Sequence, residues 1–116
     1  MAQATALVIS TDPMTAALLG LLLQLEHYHA VFHEGEEAVA VVFDRVHPTL
    51  ILVDVDHPDG FSEAFTIYAR EAGARVLAFS PGRLREDVRD LAMARHLAWF
   101  ALPIDRATFA TALASA

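Results

Sequence analysis

The stretch Pro48-Thr49-Leu50-Ile51-Leu52-Val53-Asp54 decides the fold. A strand with one wet face alternates apolar and polar residues, whereas Leu50 to Val53 shows no alternation. That is the pattern of a central strand in a parallel sheet, covered by helices on both faces. His47-Pro48 ends whatever helix precedes it, and Asp54 falls at the carboxyl end of the strand.

The same pattern recurs on either side. Apolar, β-branched runs alternate with longer segments of helical period, which is the signature of βαβ units. Strands are predicted at Thr5 to Ser10, His29 to His33, Leu50 to Asp54, Arg75 to Phe79 and Ala98 to Ala101. Leu7-Val8-Ile9 reads as buried, and the more polar His29-Ala30-Val31-Phe32-His33 as an edge. Asp12-Pro13 caps a first helix running to about Glu26. Gly35 and Glu36-Glu37 open a second, with Val39, Val42, Phe43 and Val46 on one face. A third runs from Ser62 to Ala72 before Gly73. A fourth spans about Leu84 to His96, with Leu84, Val88, Leu91 and Ala92 inward, and a fifth starts at Asp105. The expected fold class is α/β, about five βα units around one parallel sheet, as one domain over residues 1–116.

Composition removes several chemistries. The chain of 116 residues carries a formal charge of −7 and has no Cys, and its rows contain neither Lys nor Asn, so all 8 basic residues are Arg. Disulfides, thiolate nucleophiles, Schiff bases and the lysine of a phosphate loop are therefore excluded. An acidic chain also lacks the footprint that neutralises nucleic-acid phosphates. The longest apolar run, Ala16 to Leu23, is less than half the roughly 20 residues of a membrane span. Met-Ala-Gln-Ala-Thr has no basic signal-peptide region, so the cytoplasm is the expected compartment.

In open parallel sheets, function gathers at the carboxyl ends of the strands. Those ends are Ser10-Thr11-Asp12, Asp54 to Asp59, Ser80-Pro81-Gly82 and Leu102-Pro103. With these residues the chain resembles, over essentially its whole length, the receiver domain of two-component response regulators. The Leu50–Asp54 strand and its His57-Pro58-Asp59-Gly60 loop look like that family's phosphoacceptor strand and loop. Phe79-Ser80 stands at its switch hydroxyl, and Pro103 at its Lys-Pro pair. The resemblance implies a flavodoxin-like (βα)5 doubly wound parallel sheet of strand order 2-1-3-4-5, with Asp54 equivalent to the phosphoacceptor, Ser80 and Trp99 to the switch residues, and Leu102 to the lysine.

The resemblance also marks departures. Receivers carry two acidic Mg²⁺ ligands after the first strand, and here Ser10 and Thr11 stand there. Leu102 replaces the lysine. Both changes remove charge that phosphoryl transfer requires, and hydroxyls are poor ligands for a hard divalent ion. The loop after Asp54 is shorter than the family pattern, and Pro81 restrains Ser80. Trp99 is expected to be a fixed core filler. Asp12 and Asp56 are the remaining metal candidates, but Asp12 is explained as a cap and Asp56 as a solvated loop residue.

Other signals carry less. Asp54, Asp56 and Asp59-Gly60 fail as a calcium loop, because Pro58 takes a ligand position and no Glu closes it. His29 and His33 share one side of a strand but stand about 13 Å apart, too far to chelate one ion. Ser10-Thr11-Asp12-Pro13-Met14-Thr15 lacks the glycine of a flavin phosphate loop. No Ser-His-Asp arrangement rises above chance. On the first helix, Met14, Leu18, Leu21, Leu22 and Leu25 form a sufficient inward stripe, which leaves Leu19 and Leu23 as interface candidates. Mixed charge covers the fourth helix as a solvated face.

The expected function is that of a non-enzymatic pseudo-receiver: a phosphorylation-independent module for protein interaction or homodimerisation, with no cofactor, no direct nucleic acid and no membrane. The alternative is a divergent receiver, phosphorylated on Asp54 by a histidine kinase, with Mg²⁺ held by Asp12 or Asp56. A metal or small-ligand sensor is a third class. The short last helix fits an output domain lying beyond it.

Overall fold

The computed structural model describes residues 3–82 and 85–116. Strands and helices alternate: β1 (Ala4–Ile9), α1 (Pro13–Leu25), β2 (Tyr28–Phe32), α2 (Val39–Val46), β3 (Leu50–Asp54), α3 (Glu63–Glu71), β4 (Arg75–Ser80), α4 (Glu86–Ala94), β5 (Ala98–Ala101) and α5 (Arg106–Ser115). The strands form one parallel sheet of order β2-β1-β3-β4-β5. This is the flavodoxin-like arrangement expected from the sequence. No described helix is long and apolar enough to cross a membrane.

The run without alternation has its explanation in two cores. Leu7, Ile9, Ile51, Val53, Val76 and Ala78 point to the side covered by α2, α3 and α4. Ala6, Val8, Leu50, Leu52, Leu77 and Phe79 point to the side of α1 and α5. Every residue of β3 is buried, so both parities must be apolar until Asp54.

Helix ends account for much of the polar sequence. Asp12 accepts from the amides of Met14 and Thr15, and Asp105 from the amide of Thr108 at 2.7 Å. The Thr15 hydroxyl and the Met14 amide hold the Asp12 carboxyl below its ordinary value, and the Thr108 amide does the same for Asp105. A lowered folded pKa contributes stability above the unfolded value, which is lost as pH falls through the folded one. Acid unfolding of an Asp12→Ala, Asp105→Ala variant should therefore show a shallower dependence on pH below about 4 than the parent. A melting series over that window measures it.

Three of the six histidines, His27, His47 and His96, have φ of 67°, 53° and 56°, each just past a helix. Left-handed positions there usually take Gly or Asn. This chain has no Asn, and His serves instead. Much of its histidine content is thus terminal geometry rather than metal chemistry.

Several expected features differ. Helix α2 starts at Val39 rather than in the Glu36-Glu37 turn, because Glu37 is drawn to Arg45 at 2.5 Å and its carbonyl to His33 at 2.6 Å. Leu91 is exposed instead of inward, while Leu84 lies outside the described residues.

The larger correction concerns α1. Leu19 and Leu23, the expected interface pair, are fully buried, and Met14, Leu18, Leu21 and Leu25 of the expected inward stripe are exposed; only Leu22 keeps its place. The helix is apolar on nearly every side, so periodicity does not fix its rotation. Close approach fixes it: a Cβ on Gly20 would stand 2.6 Å from the Phe32 ring on β2. Turning Gly20 to the sheet edge carries Leu19 and Leu23 into the core.

Candidate functional site

Asp54 ends β3 with no solvent exposure, between β1 and β4. A buried carboxylate must find donors. One oxygen, Oδ2, accepts from the Thr11 amide at 3.1 Å and the Thr11 hydroxyl at 2.8 Å; the other, Oδ1, accepts from the Asp56 amide at 2.9 Å. All three donors are neutral. Among the described residues no ion pair reaches Asp54.

The neighbouring candidates are occupied elsewhere. Ser10 is turned into the β1–α1 connection, its hydroxyl donating to the Asp12 carbonyl at 3.0 Å and accepting from the Asp12 amide at 3.1 Å. The Asp12 carboxylate faces the first turn of α1 as its cap, accepting from the Thr15 hydroxyl at 2.8 Å. Asp56 turns its carboxylate outward, 4.0 Å from the Arg85 guanidinium. Thr11 is thus the only one of the three residues 10–12 whose side chain bonds Asp54.

Mg²⁺ sites are built from one or two carboxylates with further oxygen ligands. Among the described residues the only buried carboxylate, Asp54, already has its oxygens bonded to Thr11 and Asp56, and the two nearby, Asp12 and Asp56, are directed to a helix cap and to solvent. Among the described residues no group of three His, Asp or Glu is placed to hold a metal. The residues present do not fit the ion that the receiver resemblance implies.

At the neighbouring strand ends, Ser80 is buried and its carbonyl accepts from the Leu102 amide at 2.9 Å, so position 102 is tied to β4. The Leu102 side chain packs against the α1/α5 core, and the Leu102-Pro103 peptide is cis. Trp99 departs from expectation. It is 36% exposed rather than core, because Phe100, the next residue on this outer strand, takes the inward position against Phe79 and Phe109.

The loop after Asp54 is tightly folded. Gly60 has no room for a Cβ, which would lie 2.8 Å from Ile9 and 3.0 Å from Val53. Its amide donates to His57 Nδ1 at 2.9 Å, so the proton of the neutral ring sits on Nε2. His57 also meets His33 edge to face at 5.5 Å. Sequence reasoning missed that contact, which joins residues far apart in the chain, and it missed Arg85. Arg85 lines a cavity of about 190 Å³ with Asp56, Ser80, Pro81 and Gly82. A second, of about 480 Å³, lies between the β1–α1 connection and the end of β2, lined by Thr11, Pro13, Ala17, Phe32 and His33 among others.

Among solved structures the chain is similar to receiver domains. It matches the signal receiver domain of a putative Luxo repressor protein from Vibrio parahaemolyticus with a TM-score of 0.77 and 19% identity, over 97% of this chain and 88% of that one. A response regulator receiver protein from Burkholderia phymatum gives 0.78 and 16%, over 97% and 94%. A chemotaxis protein from Vibrio cholerae gives 0.77 and 14%, over 97% and 98%. No protein-family model and no curated protein sequence matches the chain. The fold is therefore that of response-regulator receiver domains, and identities at this level speak to fold alone.

Proposed function

We propose that the chain is a receiver-like signalling module, not an enzyme, that acts by binding protein partners and does not run an aspartyl-phosphate cycle. The observation that carries this reading is the state of Asp54: buried, held by Thr11 and Asp56 through neutral donors, and without a charged partner among the described residues. Attack by a carboxylate on a phosphoryl group gathers negative charge that only cations offset. Here the positions that would bring them hold Ser10, Thr11 and Leu102.

The test is incubation with a small-molecule phosphodonor and millimolar Mg²⁺, read by intact mass. The expected spectrum shows no phosphate adduct. A stoichiometric adduct that disappears in Asp54→Ala overturns the reading.

One observation favours the other reading, a divergent phosphoacceptor served by a histidine kinase. Arg85 reaches the cavity beside Ser80 and is a cation on the β4–α4 side of the site. Its guanidinium is largely exposed and stands near both Asp56 and Asp87, so its charge is already matched by carboxylates. The partner side of the proposal, a second copy, a kinase or an attached output domain, is tested by association.

A further inference from the structure

The cavity of about 480 Å³ opens on the β2 side of β1, whereas Asp54 ends β3 on the other side of that strand. Its volume falls in the range of about 300–1,000 Å³ that holds small molecules. The wall is apolar, built from Pro13, Ala16 and Ala17 of α1 and the Phe32 ring of β2. The tip of that ring lies against Gly20, where a Cβ would stand 2.6 Å from it. Small residues on α1 thus leave the space that the ring encloses.

The polar lining is one-sided. The Thr11 hydroxyl donates its proton to Asp54 at 2.8 Å, and the Ser10 hydroxyl donates its own to the Asp12 carbonyl at 3.0 Å. His33 Nε2 stands 2.6 Å from the Glu37 carbonyl, which can only accept, so Nε2 carries the proton and Nδ1 of the neutral ring keeps a lone pair. Glu34 adds a carboxylate that no ion pair reaches among the described residues. The start of α1 supplies no donor, because Pro13 has no N–H and the Met14 and Thr15 amides donate to Asp12. A helix start ordinarily attracts anions, and here the cap answers that attraction from within the protein. None of the lining residues is basic.

We propose that this cavity binds a small protonated aromatic amine, its ring against Phe32, Pro13 and Ala17 and its ammonium among the acceptors of Thr11, His33 and Glu34. Each part of the ligand answers one property of the site. Side chains that accept and do not donate select N–H groups, and a carboxylate with no Arg beside it selects positive charge. The apolar wall selects a ring over a bare ammonium, which has no surface to bury there. A carboxylate or phosphate ester of the same size finds no donating side chain and meets Glu34 and Asp12, so anionic ligands are rejected. The site goes beyond the protein-binding reading above, and either holds without the other. Thr11 is common to both places: it lines the cavity and bonds Asp54.

The test is titration of the whole chain with phenethylamine at neutral pH, read by amide chemical shifts in heteronuclear NMR. The amides of residues 10–17 and 32–35 are expected to shift together and saturate, with a Kd on the order of 1 mM. Phenethyl alcohol, which keeps the ring and loses the charge, is expected to bind about tenfold more weakly, and phenylpropionate not at all. Ala17→Leu fills the cavity from an exposed helix position without changing the net charge. It is expected to weaken the amine about tenfold while the melting curve stays that of the parent, and Glu34→Gln to weaken it about fivefold with the alcohol unaffected. Amine binding that is unchanged in Ala17→Leu, or shifts scattered over the acidic surface, means attraction by net charge alone and overturns the inference. Equal affinity for the amine and the alcohol overturns it too, as does the absence of shifts up to about 20 mM amine.

Discussion

Leu19→Ala is expected to lower the unfolding free energy by about 3 kcal/mol, within the 2–5 kcal/mol range of buried Leu truncations, whereas Leu21→Ala, two positions on, costs no more than about 0.5 kcal/mol. Leu19 is fully enclosed in the core formed with Val8, Leu52, Phe109 and Leu113, and Leu21 projects into water. Removing Leu19 loses its transfer free energy and leaves a cavity, because the β1 and β3 side chains beneath it are themselves closely held. A small domain has only about 5–15 kcal/mol in total, so the loss moves the urea midpoint far enough to read directly. Equal costs at the two positions would mean that α1 is rotated so that Leu21 also reaches the core.

The second large effect is a gain. Ser10→Asp, Thr11→Asp and Leu102→Lys together return to the strand ends the charges that the receiver resemblance places there. Without metal, the new carboxylate at position 11 faces Asp54 in place of a hydroxyl, the backbone amide of residue 11 being unchanged, and the like charges destabilise the variant. With Mg²⁺ the same carboxylates become ligands. A site with a Kd near 1 mM adds about 1.4 kcal/mol at 10 mM Mg²⁺, so the melting midpoint of the variant is expected to rise by several degrees. The parent's midpoint should not move with Mg²⁺. A phosphodonor should then label the variant on Asp54 and leave the parent unlabelled. If the parent responds to Mg²⁺ as strongly as the variant, the hydroxyls at Ser10 and Thr11 are adequate ligands and the pocket is a working one.

Legibility in the sequence followed how many constraints each position satisfies. Strand β3 was legible because burial on both faces demands an unbroken apolar run, and the end of that run located Asp54. The caps at Asp12 and Asp105 were legible because a side chain accepting from amides two or three residues on is a local event. The rotation of α1 was not, since an apolar residue at almost every position leaves no periodic signal and the deciding contact, Gly20 against Phe32, joins two elements. Trp99 followed the same rule: its size suggested a core, but alternation on an outer strand gives the inward place to Phe100. At the candidate site, the missing charges are legible in Ser10, Thr11 and Leu102, while the role of Thr11 as the partner of Asp54 arises only where β1 and β3 pair in the fold. The hydroxyl of Ser10, adjacent in sequence, folds back on its own turn.

Arg95, which follows α4, reaches across to the loop that follows Asp54. Its guanidinium donates to the Phe61 carbonyl at 2.6 Å and lies 5.1 Å over the Phe61 ring, and its own carbonyl accepts from Arg70 on α3 at 2.8 Å. One side chain thus fastens the β3–α3 loop to the end of α4, and a second fastens α3 to the same point. Loops at strand ends are ordinarily the first parts of such a domain to open, exchanging their amide protons through local fluctuation. Here the loop after Asp54 is tied to two helices, so its amide protons are expected to exchange more slowly than those of an untethered strand-end loop, and Arg95→Ala is expected to speed them. A conformational change at this loop would have to be shared with the end of α4 and, through it, with α3.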